Sequence, residues 1–260
     1  MDLKLSGRTA LVTGSSKGIG LSVAQWFARE GVNVCLVARS AERLEKAAAA
    51  IIKETGVAVR TLPADLADAA ARERVATAFP DVDILVNNAG AIPGGSIDDV
   101  DEPAWRVGWD LKVFGYIGLT RLYLAKMKAR RRGVIINIIG AGGEKLDYGY
   151  IAGAAGNAGL MAFTRAIGGT SPEFGVRVIG INPGPVLTDR IEVLSRKRAA
   201  SLYGDENRWR EGFAKMPFGR PASCDEIAAT AIFLASDLSS YTSGTIVTID
   251  GGLTYRGQVL

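Results

Sequence analysis

Residues 13–20, TGSSKGIG, place three glycines between a short apolar run and a helical pattern. Glycines at this spacing allow a tight turn after a strand, close approach of the backbone to a pyrophosphate, and packing of the next helix on the sheet. The amino end of that helix offers unpaired N–H groups to an anion. A glycine loop without a ligand is the alternative, but the strand–turn–helix setting favours a dinucleotide site. We predict cofactor contacts from Gly14, Ser16, Lys17, Gly18, Ile19 and Gly20.

The end of the second apolar run distinguishes between two cofactors. An NAD site places a carboxylate there, which accepts a hydrogen bond from the ribose 2′-hydroxyl. This chain instead has Ala38, Arg39 and Ser40. A guanidinium pairs bidentately with a 2′-phosphate, and Lys17 would add a second cation. Arg39 as an ordinary surface residue at a helix start is the alternative, but the pattern favours NADP over NAD.

These residues need a scaffold that brings strand ends together, and the chain alternates short apolar runs with helical patterns throughout. Strands buried on both faces need no polar alternation, and helices between them imply parallel crossovers. We predict an α/β fold: a single Rossmann domain over residues 1–260, with a doubly wound, seven-stranded parallel sheet and helices on both faces. The seven runs are TALVT, VNVCLVA, VAVRTL, VDILVN, GVIINII, VRVIGI and GTIVTID.

Residues 188–216 interrupt the alternation between the last two runs, because they are polar and helical only in patches. Insertions at the carboxyl edge of such a sheet often form a lid over the ligand crevice, and we predict a substrate lid here. Its Trp209, Phe213 and Met216 favour an apolar, ring-bearing ligand. The alternative is that these side chains pack within the lid itself.

Composition excludes several classes of function. The 260 residues contain no histidine, which argues against a zinc site and against Ser–His catalysis, and we predict no metal. The net charge of +4 is spread along the chain, and the one basic cluster, residues 126–132, falls at the end of a predicted helix where cations complement the helix dipole. We therefore expect no nucleic-acid partner. Cys35 lies within an apolar run and is expected in the core.

The same sequence lacks signals for membranes and secretion. No apolar stretch approaches the roughly 18 residues that a membrane span requires, and the first residues, MDLKLSGRTALV, lack a secretory apolar region. We expect a cytoplasmic protein without a membrane partner.

Five segments together resemble the short-chain dehydrogenase/reductase (SDR) family, and the resemblance covers nearly the whole chain. They are TGSSKGIG, ADL at 64–66, NNAG at 87–90, NPGPVLT at 182–188 and the carboxyl-terminal signature spread over 219–252. The resemblance implies a Rossmann fold and hydride transfer between NAD(P)H and a carbonyl or alcohol. It also implies a homotetramer, and the flanking helices keep apolar stripes that include Leu122, Leu160, Phe163 and Ile167. Further cofactor contacts are implied at Asp65, Leu66, Asn88, Ala89, Gly90, Pro183, Gly184, Val186 and Thr188.

The family also uses an asparagine, a serine, a tyrosine and a lysine for proton transfer, and this chain departs at all four positions. The register of the flanking motifs places Lys112 at the asparagine, Gly140 at the serine, Gly153 at the tyrosine and Asn157 at the lysine. The motifs match on both sides without a gap, so a shifted alignment does not restore the set.

The departures still leave proton chemistry near the expected place. Lys112 shares a helical stripe with Trp109 and Tyr116 and is expected to point inward, so an amine and an amide would be exchanged between Lys112 and Asn157. Unrelated drift at both positions is the alternative. Tyr150 lies three residues before Gly153, and glycines clear space for its ring. We predict Lys112, Tyr150 and Asn157 as the catalytic residues, with Tyr150 as a pocket wall as the alternative.

Together these patterns predict an NADP-dependent oxidoreductase with an altered proton-transfer apparatus that acts on a small molecule. The alternative function is a non-catalytic NADP-binding redox sensor or partner subunit. Loss of general acid catalysis typically slows a reaction by about 10²–10⁴-fold without abolishing cofactor binding, so the sequence leaves both functions open.

Overall fold

A computed structural model describes residues 2–256 and contains one seven-stranded parallel sheet with the order β3-β2-β1-β4-β5-β6-β7. All seven predicted strands are present, and the predicted fold class is confirmed. The strands are β1 (Thr9–Thr13), β2 (Asn33–Ala38), β3 (Val59–Pro63), β4 (Ile84–Asn87), β5 (Gly133–Ile138), β6 (Val176–Pro183) and β7 (Ile246–Ile249).

Within residues 2–256, eight α-helices connect the strands, and short 3₁₀ segments and one π-helical segment, Asp110–Phe114, supplement them. No helix within residues 2–256 combines the length and the apolar character needed to cross a bilayer. The α-helices are α1 (Gly18–Arg29), α2 (Ala41–Thr55), α3 (Ala69–Ala78), α4 (Glu102–Trp109), α5 (Gly115–Ala129), α6 (Ile151–Thr170), α7 (Asp189–Tyr203) and α8 (Cys224–Ala235).

The strands read as unbroken apolar runs because helices cover both faces of the sheet. In β1, Val12 packs into a core shared with Phe27 of α1 and Ile232 of α8. Its neighbour Leu11 faces the opposite layer, with Tyr123 of α5. That second layer also contains Cys35, and burial raises the pKa of its thiol to about 11, so the thiol is a protonated core group as predicted.

The chain reverses its direction of winding between β1 and β4, which are hydrogen-bonded neighbours. The crossover to β2 and β3 leaves on one side and the crossover to β5, β6 and β7 on the other. A crevice therefore opens beyond the carboxyl ends of β1 and β4, where doubly wound sheets bind their ligands.

Candidate active site

The glycine loop joins β1 to α1 in a conformation that side chains would obstruct. Gly14 has a φ of +65° and Gly18 a φ of +59°, values that L-residues with side chains rarely adopt. A Cβ atom at Gly20 would lie 2.5 Å from the carbonyl oxygen of Gly14. The loop can therefore turn tightly and seat the amino end of α1 under an anion.

Residues 87–90 at the end of β4 are tied to this loop by hydrogen bonds. The Thr13 hydroxyl accepts from the backbone N–H groups of Asn88 at 2.8 Å and Ala89 at 3.0 Å. The Asn88 amide donates to the carbonyl oxygen of Thr13 at 2.9 Å. These bonds fix the two walls of the crevice relative to each other, so the backbone itself shapes the site.

The crevice is a groove of about 630 Å³ that runs from the end of β2 to the end of β5. Two of the predicted cofactor residues do not line it. Gly20 lies behind the loop, and the exposed Asp65 accepts a hydrogen bond from the N–H of Ala67 at 3.1 Å. The others all line the groove: Gly14, Ser16, Lys17, Gly18, Ile19, Arg39, Leu66, Asn88, Ala89, Gly90, Pro183, Gly184, Val186 and Thr188.

Cations surround the end of the groove near β2. Arg39 and Lys17 line it as predicted, and Arg43 of α2 joins them. Arg43 was not among the predicted residues, although the serine cap at Ser40 places it in the first turn of α2. The Lys17 ammonium forms an ion pair of 2.8 Å with Asp189, the first residue of α7, which was also not foreseen. The charge of these cations suits a phosphate group.

Lys112 occupies the middle of the π-helical segment Asp110–Phe114, whose wider turn is a frequent feature of functional sites. Its stem packs against Gly90, where a Cβ atom would lie 2.8 Å from the Lys112 Cδ. Its half-buried amine donates a hydrogen bond to the carbonyl oxygen of Ile139 and lines the groove. The lysine thus points inward, as its helical stripe predicted.

Asn157 lies on α6 on the other side of the same strand end. It is buried, and its Nδ2 lies 3.1 Å from the point that a Cβ atom at Gly140 would occupy. Its Oδ1 has no hydrogen-bond partner among the described residues. Lys112 and Asn157 therefore approach residues 139–140 from two helices, and a direct or water-mediated bond between them stays a prediction.

Tyr150 is the residue immediately before α6 and caps its amino end. Because the helix begins only at Ile151, the tyrosine side chain folds back over the first turn. A Cβ atom at Gly153 would overlap the Tyr150 ring, and one at Gly142 would lie 3.3 Å from it. The ring therefore fills the space that the missing side chain at residue 153 leaves.

Tyr116, one turn after Lys112, contributes a second phenol that the sequence analysis treated only as part of the stripe. Its hydroxyl donates to the carbonyl oxygen of Ile138 at 2.7 Å. Burial, and to a smaller degree the nearby Tyr150, raises the pKa of the Tyr116 phenol far above its usual range. Tyr116 therefore stays protonated and holds the helix to the end of β5.

A buried polar chain below the site was not foreseen either. The Asn87 amide donates to Thr120 at 3.1 Å and to Asn137 at 2.9 Å, and the Asn137 amide donates to Thr164 at 2.9 Å. All four side chains are buried. They join β4 and β5 to α5 and α6 and so position the helices that carry the candidate catalytic residues.

Glu144, in the loop after β5, is held from two sides. Its carboxylate accepts from the Asn182 amide at 3.1 Å and from the Thr248 hydroxyl at 3.0 Å. Asn182 also accepts from the N–H of Gly140 at 3.4 Å. These bonds fix the loop after β5, which carries Gly140.

The aromatic residues of the predicted lid pack against one another. Trp209 and Phe213 are buried, with ring centroids 5.3 Å apart in an edge-to-face contact, and Met216 lies against them. The alternative that we gave for these side chains is the one observed. They therefore carry no argument for an apolar or ring-bearing ligand.

Two predictions concern the surface of the chain: a basic cluster at the end of a helix, and an apolar stripe between subunits. The basic cluster at 126–132 makes contacts within the chain, including an ion pair of 3.0 Å between Arg132 and Asp83 and a contact of Lys128 with the Phe174 ring. Leu160, expected in an apolar intersubunit stripe, is fully buried in the chain's own core and cannot face a partner. The helical period alone could not distinguish the two faces of α6, because both are rich in small and apolar residues.

Comparison with known proteins agrees with this architecture. Residues 8–199 match the family model for short chain dehydrogenases. The chain is 31% identical to a 3-oxoacyl-[acyl-carrier-protein] reductase of Chlamydia trachomatis, over 96% of this chain and 98% of that protein. It is 34% identical to the galactitol 2-dehydrogenase of Cereibacter sphaeroides, over 96% of both chains.

A solved structure is similar in fold and sequence. The L-sorbose reductase of Gluconobacter frateurii, complexed with NADPH and L-sorbose, superimposes with a TM-score of 0.91 at 32% identity, over 99% of this chain and all of that one. The NADP prediction agrees with that complex. A family match over most of the chain, together with relatives above 30% identity along its length, shows that this protein belongs to the short-chain dehydrogenase/reductase family of oxidoreductases.

Proposed function

We propose that this protein is an NADP-dependent oxidoreductase that interconverts a carbonyl compound and an alcohol, with a rearranged set of proton-transfer residues. One observation carries the proposal. A single groove begins at the cations Lys17, Arg39 and Arg43 and ends at Lys112 and Gly140. A cofactor with a 2′-phosphate at one end and a reactive ring at the other fits that order of groups.

The residues fit NADP better than NAD. Arg39 and Arg43 present two guanidinium groups where an NAD site has a carboxylate, and the groove lining there contains no acid on β2. The Gly14 and Gly18 backbone conformations leave room for a pyrophosphate at the start of α1. When bound, NADPH supplies a hydride to the carbonyl carbon of the substrate.

The chain's own part is to protonate the substrate oxygen, and we assign that step to Tyr150. Its ring fills the space beside Gly153, where the family register places the catalytic tyrosine. The ammonium of Lys112 stabilises negative charge on the same oxygen as the proton is transferred. The buried Oδ1 of Asn157, which has no partner among residues 2–256, accepts a hydrogen bond from the cofactor ribose, a water or Lys112.

The aromatic rings of the lid pack among themselves and so do not indicate a class of substrate. The named substrates of the relatives include an acyl thioester and polyhydroxylated compounds. We propose a small carbonyl compound as the substrate, with residues 188–216 acting as a lid over it. A cytoplasmic location also stays a prediction.

The test is a panel of ketoses, 3-oxoacyl thioesters and cyclic ketones, followed by NADPH absorbance, alongside a fluorescence titration of the cofactor. We expect NADPH to bind and at least one class to be reduced. Binding without turnover across the panel would instead favour the redox sensor. Absence of NADPH binding would reject both functions.

We also propose a homotetramer. Val107 and Phe114, on the helical segments next to the site, are 70% and 50% exposed, and a partner subunit would cover these apolar side chains. Light scattering at micromolar concentration is expected to give four times the chain mass. A monomer at that concentration would reject this assembly.

A further inference from the structure

Asp189 and Lys17 face each other across the mouth of the groove. Lys17 lies in the glycine loop, and Asp189 begins α7. Their side chains form an ion pair of 2.8 Å between residues 172 positions apart. The neighbouring Thr188 also reaches the loop, because its methyl group lies 3.5 Å from the point that a Cβ at Gly18 would occupy. The start of the proposed lid is therefore seated on the loop that holds the phosphates.

Asp189 is an acidic residue in a groove that is otherwise lined by basic and neutral residues among those described. Among the described residues that line the groove it is the only acid, in a site whose expected ligand carries several negative charges. Its hydrogen bond and ion pair with Lys17 lower the pKa of its carboxyl, and Arg43 adds to this effect, so the group is ionised at neutral pH. A carboxylate here repels phosphate, and it pairs with Lys17, a cation that would otherwise pair with a 2′-phosphate.

We propose that Asp189 sets the discrimination between NADP and NAD by competing with the 2′-phosphate for Lys17. With NAD bound, the Lys17–Asp189 pair stays intact. With NADP bound, the phosphate takes Lys17 and the first turn of α7 loses its anchor on the glycine loop. This inference rests on the proposed NADP function and adds a specificity residue on the lid side of the groove.

The experiment measures NADPH and NADH dissociation constants by nicotinamide fluorescence in the wild type and in Asp189→Asn. The amide keeps the side-chain size but removes the charge, so NADPH should bind about 3- to 10-fold more tightly and NADH should change less than about 2-fold. Glu192→Gln is the matched control, because Glu192 lies on the same helix and pairs with Arg196 at 2.8 Å without lining the groove. It should change neither constant.

A second pair of variants tests the competition itself. Lys17→Met should weaken NADPH binding, and adding Asp189→Asn to Lys17→Met should recover only part of the gain seen in the wild type. If Asp189→Asn unfolds the chain, Asp189→Ser, which preserves a polar first turn, takes its place. Equal changes for NADPH and NADH, or weaker NADPH binding in Asp189→Asn, would overturn the inference while leaving the proposed function intact. No NADPH binding in the wild type would reject both.

Discussion

The two ends of the groove are built differently. At the cofactor end, formed by residues 13–20, 38–43 and 87–90, the backbone and its hydrogen bonds shape the walls. At the catalytic end, Lys112 and residues 138–140 line the groove, and the side chains of Tyr116, Tyr150 and Asn157 pack near the end of β5 without lining it. A backbone-built site tolerates little change in sequence, whereas a side-chain site can exchange its groups between helices. We proposed above that the proton-transfer residues at the second end are rearranged, and the predictions below test that difference between the two ends.

The largest effect, a loss of NADPH affinity, is expected when a side chain is introduced into the glycine loop at the cofactor end. In Gly20→Ala the new Cβ would lie 2.5 Å from the carbonyl oxygen of Gly14, so the loop or helix must shift. We expect NADPH affinity to fall by about 100-fold or more, since misplaced phosphate donors lose several charge-assisted hydrogen bonds. Gly212→Ala, at a position with open space around it, is the control. A folded Gly20→Ala protein with normal affinity would show that this end is not built as described.

The next effect concerns Lys112. Replacement by alanine removes an inward ammonium that donates to Ile139, and turnover should fall by about 10- to 100-fold. Lys145→Ala, at an exposed lysine, should leave turnover near the wild-type value. Equal turnover in Lys112→Ala and the wild type would remove this residue from the catalytic end.

A smaller effect is expected at Arg39. Loss of a charge-assisted pair costs about 1.5–3 kcal/mol when buried, and because Arg39 is exposed we expect only a several-fold weaker binding of NADPH. NADH affinity should not change. The ratio of the two constants, measured by titration, isolates the 2′-phosphate contact. Equal NADPH and NADH affinities in the wild type would contradict the contact between Arg39 and the 2′-phosphate.

The smallest effect is on stability and concerns α8, which packs behind α1 at the cofactor end. The hydrogen bond from Arg220, with the N–H of Ser223, lowers the pKa of Glu226 from 4.5 to about 2. The unfolded chain binds this proton more readily, so the stabilisation is present above about pH 4.5 and is lost as the pH falls toward 2. Glu226→Gln should flatten the fall of the melting temperature in that window. If the melting temperature of Glu226→Gln falls with pH as steeply as that of the wild type, the Arg220–Glu226 pair does not contribute to stability.

The sequence predicted the sheet, and most of the residues it selected for the cofactor line one groove, because both depend on local patterns. The apolar runs, the glycines at 14, 18 and 20, and Arg39 each act close to their neighbours in the chain. It did not predict the Lys17–Asp189 pair or the buried chain from Asn87 to Thr164, which join distant segments.

The position of Tyr150 is a further feature that local sequence patterns do not predict. A period of 3.6 residues cannot locate the first residue of a helix, so the cap position of Tyr150 and the path of its ring over Gly153 required coordinates. Trp209 and Phe213 fit an amphipathic pattern equally well whether they faced a ligand or each other. Only the structure distinguished these cases.

The most direct test of the proposal that Tyr150 donates the proton is the turnover of Tyr150→Phe with a substrate from the panel, measured beside its NADPH affinity. We expect a fall of about 10²-fold in turnover with unchanged affinity, because only the phenolic hydroxyl group is removed. Tyr148→Phe is the control, since the Tyr148 hydroxyl donates to Asp98 at 2.8 Å on the exposed loop. The double variant Tyr150→Gly/Gly153→Tyr should recover part of the lost activity by supplying the phenol from the helix. Wild-type turnover in Tyr150→Phe would contradict the assignment.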